Sequence, residues 1–108
     1  MGIRQDVRSR VAIPASYQAD DGLRVATSIT DISEYGCRLR KGVEHLRAGT
    51  GLSITIDALQ PVSARVCWQY GQYCGLSFQR PLASAIVHHL YDRFWRTAAP
   101  EKLMQARA

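Results

Sequence analysis

Residues 23–40 read LRVATSITDISEYGCRLR, and this run decides the fold. Its first ten residues are rich in β-branched side chains: Val25, Thr27, Ile29, Thr30 and Ile32. They recur at a period close to two, the spacing of a strand that buries one face. Asp31-Ile32-Ser33-Glu34-Tyr35-Gly36 then breaks the alternation with turn-forming residues. Cys37-Arg38-Leu39-Arg40 resumes it, with Cys37 and Leu39 on one face and two arginines on the other. The run is therefore strand, turn, strand.

The same grammar extends in both directions. Upstream, Asp20-Asp21-Gly22 is a hairpin signal. It follows a short apolar stretch over residues 11–17, where Pro14 predicts an edge or irregular strand. Downstream, residues 41–49 form a connection with a helical turn around 43–46. Leu52, Ile54 and Ile56 alternate, and after a turn at 58–61 so do Val62, Ala64, Val66 and Trp68. Trp68 and Phe78 read as core. Residues 70–73 are a tight connection, and Leu76 and Phe78 end the sheet, with Gly75 at a bulge or close approach. Six short strands separated by turn signals predict an all-β fold, a small antiparallel barrel or sandwich.

The C-terminal region changes period. Leu82, Ile86, Leu90 and Phe94 recur every four residues, joined by Val87 and Tyr91, which predicts an amphipathic helix. Pro81 fits its first turn. The expected organisation is a flexible arginine-rich arm over 1–10, a barrel with its C-terminal helix over 11–97, and a frayed tail over 98–108. The wide apolar face of the helix fits either the chain's own barrel or a second chain, so both a monomer and a homodimer are consistent with it.

A length of 108 residues is one domain's worth, with room for a single modest core. The 46% apolar and 21% charged content is that of an ordinary globular chain. No apolar run is long enough to span a membrane, and Met1-Gly2-Ile3-Arg4-Gln5-Asp6 has no signal-peptide core, so a cytoplasmic location is expected. Cys37, Cys67 and Cys74 include no Cys-x-x-Cys pair, and each sits in an apolar or alternating stretch, as small buried hydrophobes do. His88 and His89 are adjacent and diverge on a helix, and no Cys/His set has zinc spacing, so no metal is expected. Gly-x-Ser-x-Gly, His-Glu-x-x-His and a phosphate loop are all missing from the sequence, so no enzyme and no cofactor is expected.

The net charge is +5, and twelve of the fourteen basic residues are arginine. Arginine's planar fork pairs phosphate bidentately and stacks on flat rings, which lysine does not. Position matters more than number. Arg4 and Arg8 stand four apart just before the first strand, with Arg10 two further on, and Asp31-x-Ser33-x-x-Gly36 occupies the turn of the deciding run. In that order, on that strand pattern, the chain resembles the PilZ domain family over roughly residues 4–95. Weaker likenesses are Gly36–Leu39, Val66-Cys67-Trp68 and Gly75–Phe78.

The resemblance implies a six-stranded antiparallel PilZ-type β-barrel with a C-terminal helix. It also implies a ligand, the bacterial second messenger cyclic di-GMP, and a receptor that changes shape on binding and signals to an effector protein. The family motif falls on Arg4, Arg8, Asp31, Ser33 and Gly36. Arg10 takes the place next to the first apolar residue that the second arginine holds in many members. The reading assigns the arm contacts to Arg4 and Arg8 with Arg10 in support; the alternative is that Arg8 and Arg10 share them. The residue types suit the ligand, since arginine reads the guanine N7/O6 edge and pairs phosphate. Asp31 can accept a guanine N–H, Ser33 offers a hydroxyl, and Gly36 leaves room for the turn and for close approach. Two other functions compete. One is a PilZ-like protein adaptor that binds no nucleotide. The other is a nucleic-acid-binding barrel, against which stand the scattered basic residues and the lack of a clustered aromatic platform.

Overall fold

The computed structural model describes residues 11–20 and 22–107, with the backbone alone for 96–107. The expected arm with Arg4, Arg8 and Arg10 lies outside these residues, as does Asp21. Six strands appear in order: β1 (Ile13–Gln18), β2 (Arg24–Ile32), β3 (Gly36–Arg40), β4 (Gly51–Ile56), β5 (Val62–Tyr70) and β6 (Tyr73–Phe78). One helix, α1, covers Ser84–Arg107. The strands close into an antiparallel barrel in the order β1-β2-β3-β6-β5-β4, so every strand is paired on both sides.

Closure corrects the expectation for Pro14. Its strand is not an edge: β1 pairs β2 from Ile13↔Ile29 and β4 from Ala15↔Ile56. Pro14 is tolerated because it lies one step beyond the β4 ladder. Its carbonyl accepts the Asp57 N–H at 2.9 Å, and the ladder to β4 starts only at Ala15, so the N–H that proline lacks interrupts no pair of it. The β1–β2 hairpin closes with Gly22 N–H on the Ala19 carbonyl at 3.0 Å, and Gly22 takes the positive φ of 79° the turn requires.

The barrel interior holds Ile13, Ile29, Leu39, Ile54, Ile56, Val66 and Cys74, all fully buried. Thr27 is the one polar residue buried among those described; its hydroxyl lies at hydrogen-bonding distance from the carbonyls of Arg40 and Lys41, at 3.0 and 2.8 Å. The connection after β3 turns at 43–46, where the Leu46 N–H meets the Val43 carbonyl at 3.0 Å, and buries both side chains.

Val87, Leu90 and Phe94 of α1 enter the same buried cluster, so the helix's apolar face covers its own barrel. Two helix boundaries differ from expectation. The first turn begins after Ala83, whose carbonyl accepts from Ile86 and Val87, so Pro81 sits in the lead-in rather than in the helix. At the other end α1 runs through Pro100 to Arg107 instead of stopping near residue 97. Strong helix formers on both sides of the proline, Ala98 and Ala99 before it and Glu101 to Arg107 after it, favour continuation.

Candidate functional site

Two β-bulges build the candidate site. Between β2 and β3 the register runs Ile29↔Leu39 and then Asp31↔Arg38, so Thr30 is the extra residue. Strict alternation from the buried Ile29 would aim Asp31 inward. The bulge resets the parity, so that Ile32 is buried and Asp31 joins the outer face. Between β5 and β6 the register runs Val66↔Leu76 and then Trp68↔Gly75, so Cys67 is extra. Here parity flips the other way for the tryptophan: Trp68, expected in the core, is 45% exposed. Cys67, also expected to be buried, is exposed, while Cys37 and Cys74 are buried as expected.

The two bulges place one continuous row across four strands. Asp31 of β2 opposes Arg38 of β3, Arg38 opposes Gly75 of β6, and Gly75 opposes Trp68 of β5. The Trp68 ring lies close against Gly75; a Cβ there would stand 2.2 Å from the indole nitrogen. Gly75 is thus the seat of the tryptophan, the close approach anticipated at that position. An open depression of about 340 Å³ runs along this row, and its lining includes Asp31, Ser33, Gly36, Arg38, Trp68 and Gly75.

The polar groups of the row are held in place before any ligand arrives. Arg38 Nε donates to Thr30 Oγ1 at 3.0 Å, and its guanidinium stands 5.4 Å from the Tyr73 ring centroid. Its terminal nitrogens take no bond from the described residues, which leaves the fork for a ligand. Tyr91 of α1 donates to Asp31 Oδ1 at 2.9 Å. Ser33 accepts the Tyr35 N–H at 3.1 Å in a local turn, and its own N–H donates to the Gly36 carbonyl at 2.9 Å. The Ser33 hydroxyl proton is left for an outside acceptor.

Gly36 acts differently from expectation. Its φ is not in the left-handed region, and the space it saves belongs to the protein: a Cβ would lie 2.1 Å from the Leu76 carbonyl oxygen. Glycine is required because β6 passes across it. Arg40 points outward from the same strand as Arg38, 6.0 Å from the Tyr73 centroid, but does not line the depression. Trp68, Tyr70 and Tyr73 are exposed on β5 and β6 at 45%, 82% and 37%, with Tyr70 opposite Tyr73 in the ladder.

Of the six residues expected in the site, Asp31, Ser33 and Gly36 come together. Arg38, expected on the outer face of β3, joins them; Trp68 and Tyr91 join them too and were missed. For Arg4, Arg8 and Arg10 the register supplies the position of the chain that follows them: β1 begins opposite Ile29, two residues from Asp31. From Ile13 back to Arg8 an extended chain spans about 17 Å at most. Among the described residues no group of three or more His, Cys, Asp or Glu gathers as metal ligands, and no helix is long and apolar enough to cross a membrane.

A family model for the PilZ domain matches residues 3–92. The chain belongs to the PilZ domain family. The match takes in the arginines at 4, 8 and 10, the Asp31–Gly36 turn, all six strands and the helix as far as Asp92. A search of curated proteins finds no significant match. The closed six-stranded barrel with one C-terminal helix is the PilZ architecture, so motif and fold agree.

Proposed function

We propose that this PilZ domain is a receptor module for cyclic di-GMP, with no chemistry of its own, and that it hands the signal to an effector protein. The observation that carries the reading is the outer-face row Asp31–Arg38–Gly75–Trp68, whose members offer what a cyclic dinucleotide needs. The ligand brings two phosphates and two guanines. The pinned Arg38 fork suits a phosphate or a guanine N7/O6 edge. The exposed Trp68 face suits stacking on a base. Asp31 keeps Oδ2 for a guanine N–H, since Oδ1 is engaged by Tyr91. Ser33 can donate to a phosphate oxygen.

The open depression leaves one side of such a ligand uncovered. Arg4, Arg8 and Arg10 are the groups proposed to cover it, because the chain enters β1 beside Asp31. Their ordering around the ligand is the proposed change of shape, and +5 net charge favours the encounter with a dianion. Isothermal titration calorimetry of the wild type and Arg8→Ala with cyclic di-GMP tests the reading. Saturable heat from the wild type, weakened at least tenfold in the variant, is expected. No heat from the wild type at tens of micromolar ligand would refute it.

A further inference from the structure

Tyr91 stands out among residues the ligand reading does not require. It lies half-buried on α1, yet its hydroxyl reaches across to β2. The proton is divided between Asp31 Oδ1 and the Ile32 carbonyl, each 2.9 Å away, and the Ile32 N–H approaches the same oxygen at 3.4 Å. The β1–β2 register begins at Ile13↔Ile29, so Ile32 lies past the start of β1 and Tyr91 takes its backbone groups instead. One phenol therefore holds both the last residue of β2 and the carboxylate of the ligand row.

The surroundings give this contact a direction. The β2–β3 turn separates two depressions. Ile32 and Ser33 line the ligand row on one side and, on the other, an apolar groove of about 460 Å³ walled by Val87, His88, Tyr91 and Trp95 of α1. The turn is bound to the lead-in of α1 as well, through the Leu82 N–H on the Glu34 carbonyl at 2.8 Å. The carboxylate of the row and α1 are thus joined through one hydrogen bond, so the position of each depends on the other.

We infer that Tyr91 is the positioning residue of the ligand site: it fixes Asp31 in the geometry that receives the ligand and ties occupancy of the row to α1. The inference rests on the cyclic di-GMP reading above. A hydrogen bond to a carboxylate is among the stronger ones, so its removal frees Asp31 to rotate away. Coupling is reciprocal: a partner that holds α1 in the bound arrangement strengthens nucleotide binding by the same factor.

The test compares Tyr91→Phe with Phe94→Leu, a substitution in the buried face of the same helix, by calorimetry and thermal unfolding. Tyr91→Phe is expected to weaken cyclic di-GMP roughly tenfold, while Phe94→Leu lowers the unfolding midpoint by several degrees with affinity within about twofold of wild type. Unchanged affinity in Tyr91→Phe overturns the inference and leaves the receptor reading standing. Equal weakening by Phe94→Leu also overturns it, because the loss would then follow stability. No binding by the wild type overturns both. A second measurement needs no variant at the tyrosine: in fluorotryptophan-labelled wild type, the fluorine resonance of Trp95 shifts as cyclic di-GMP is added. A Trp95 line that stays fixed at saturation contradicts the link to α1.

Discussion

Gly36→Ala asks whether the motif glycine serves the ligand or the barrel. The added Cβ would stand 2.1 Å from the Leu76 carbonyl oxygen and 3.2 Å from its carbon, both backbone atoms that cannot rotate aside. β3 and β6 would have to part by about 1.3 Å at Gly36↔Ser77 to reach an ordinary contact. That movement strains the adjoining bonds, Ser33 N–H to the Gly36 carbonyl and Phe78 N–H to the Tyr35 carbonyl, each 2.9 Å. Overpacking of this kind costs about 1–3 kcal/mol, and each of the two strained bonds about 1 kcal/mol, so a loss of about 3–5 kcal/mol is expected. For a chain of this size that lowers the unfolding midpoint by roughly 10–20 °C. The assay is thermal unfolding followed by circular dichroism, with Gly51→Ala as the comparison. Gly51 lies in β4 with open space where a Cβ would go and no positive φ, so alanine there should be neutral or slightly stabilising. A Gly36→Ala midpoint no lower than that of Gly51→Ala would refute the steric account and return Gly36 to the ligand.

Trp68→Ala should weaken cyclic di-GMP by about 10- to 100-fold, the worth of one stacked base, with little change in unfolding midpoint because the ring is nearly half exposed. Calorimetry beside thermal unfolding separates the two effects. Gly75→Ala should weaken binding in the same assay by displacing the indole from the sheet. The cysteines make a third case. Burial, with the neighbouring Cys67 thiol adding to it, raises Cys74 to about 11, and burial pushes Cys37 higher still. Unfolding releases both thiols to ordinary values near 9. The unfolded state therefore sheds protons first, and stability should be intact below pH 9 and fall between pH 9 and 11, read as the urea midpoint. A thiol reagent at pH 8 should modify Cys67 rapidly and the two buried cysteines only on unfolding.

The fold was legible because most strands keep their parity. Leu52, Ile54 and Ile56 alternate without interruption and are all buried, and Cys37 and Leu39 likewise face inward against Arg38 and Arg40. The site was half legible for the opposite reason. A bulge is one extra residue, and it reverses every inference that counts by twos. The clue at Thr30 is in the sequence: Ile29 and Ile32 are three apart, and both cannot be inward on an unbroken strand. No comparable clue marks Cys67, since Ala64, Val66 and Trp68 keep perfect spacing, and only the pairing with β6 reveals that the tryptophan has turned outward. Tyr91 was read correctly as part of the helix pattern. Its hydroxyl's reach to Asp31 joins residues 60 apart in sequence, and short-range spacing does not encode such a contact.

The central claim is that cyclic di-GMP binds this outer face. Backbone amide NMR during a titration with the nucleotide tests it most directly. The expected result is a continuous set of shifts along Asp31, Ser33, Gly36, Arg38, Gly75 and Trp68, with the opposite side of the barrel at Ser53 and Thr55 of β4 unmoved. Shifts confined to β4, or none at saturating ligand, would contradict it.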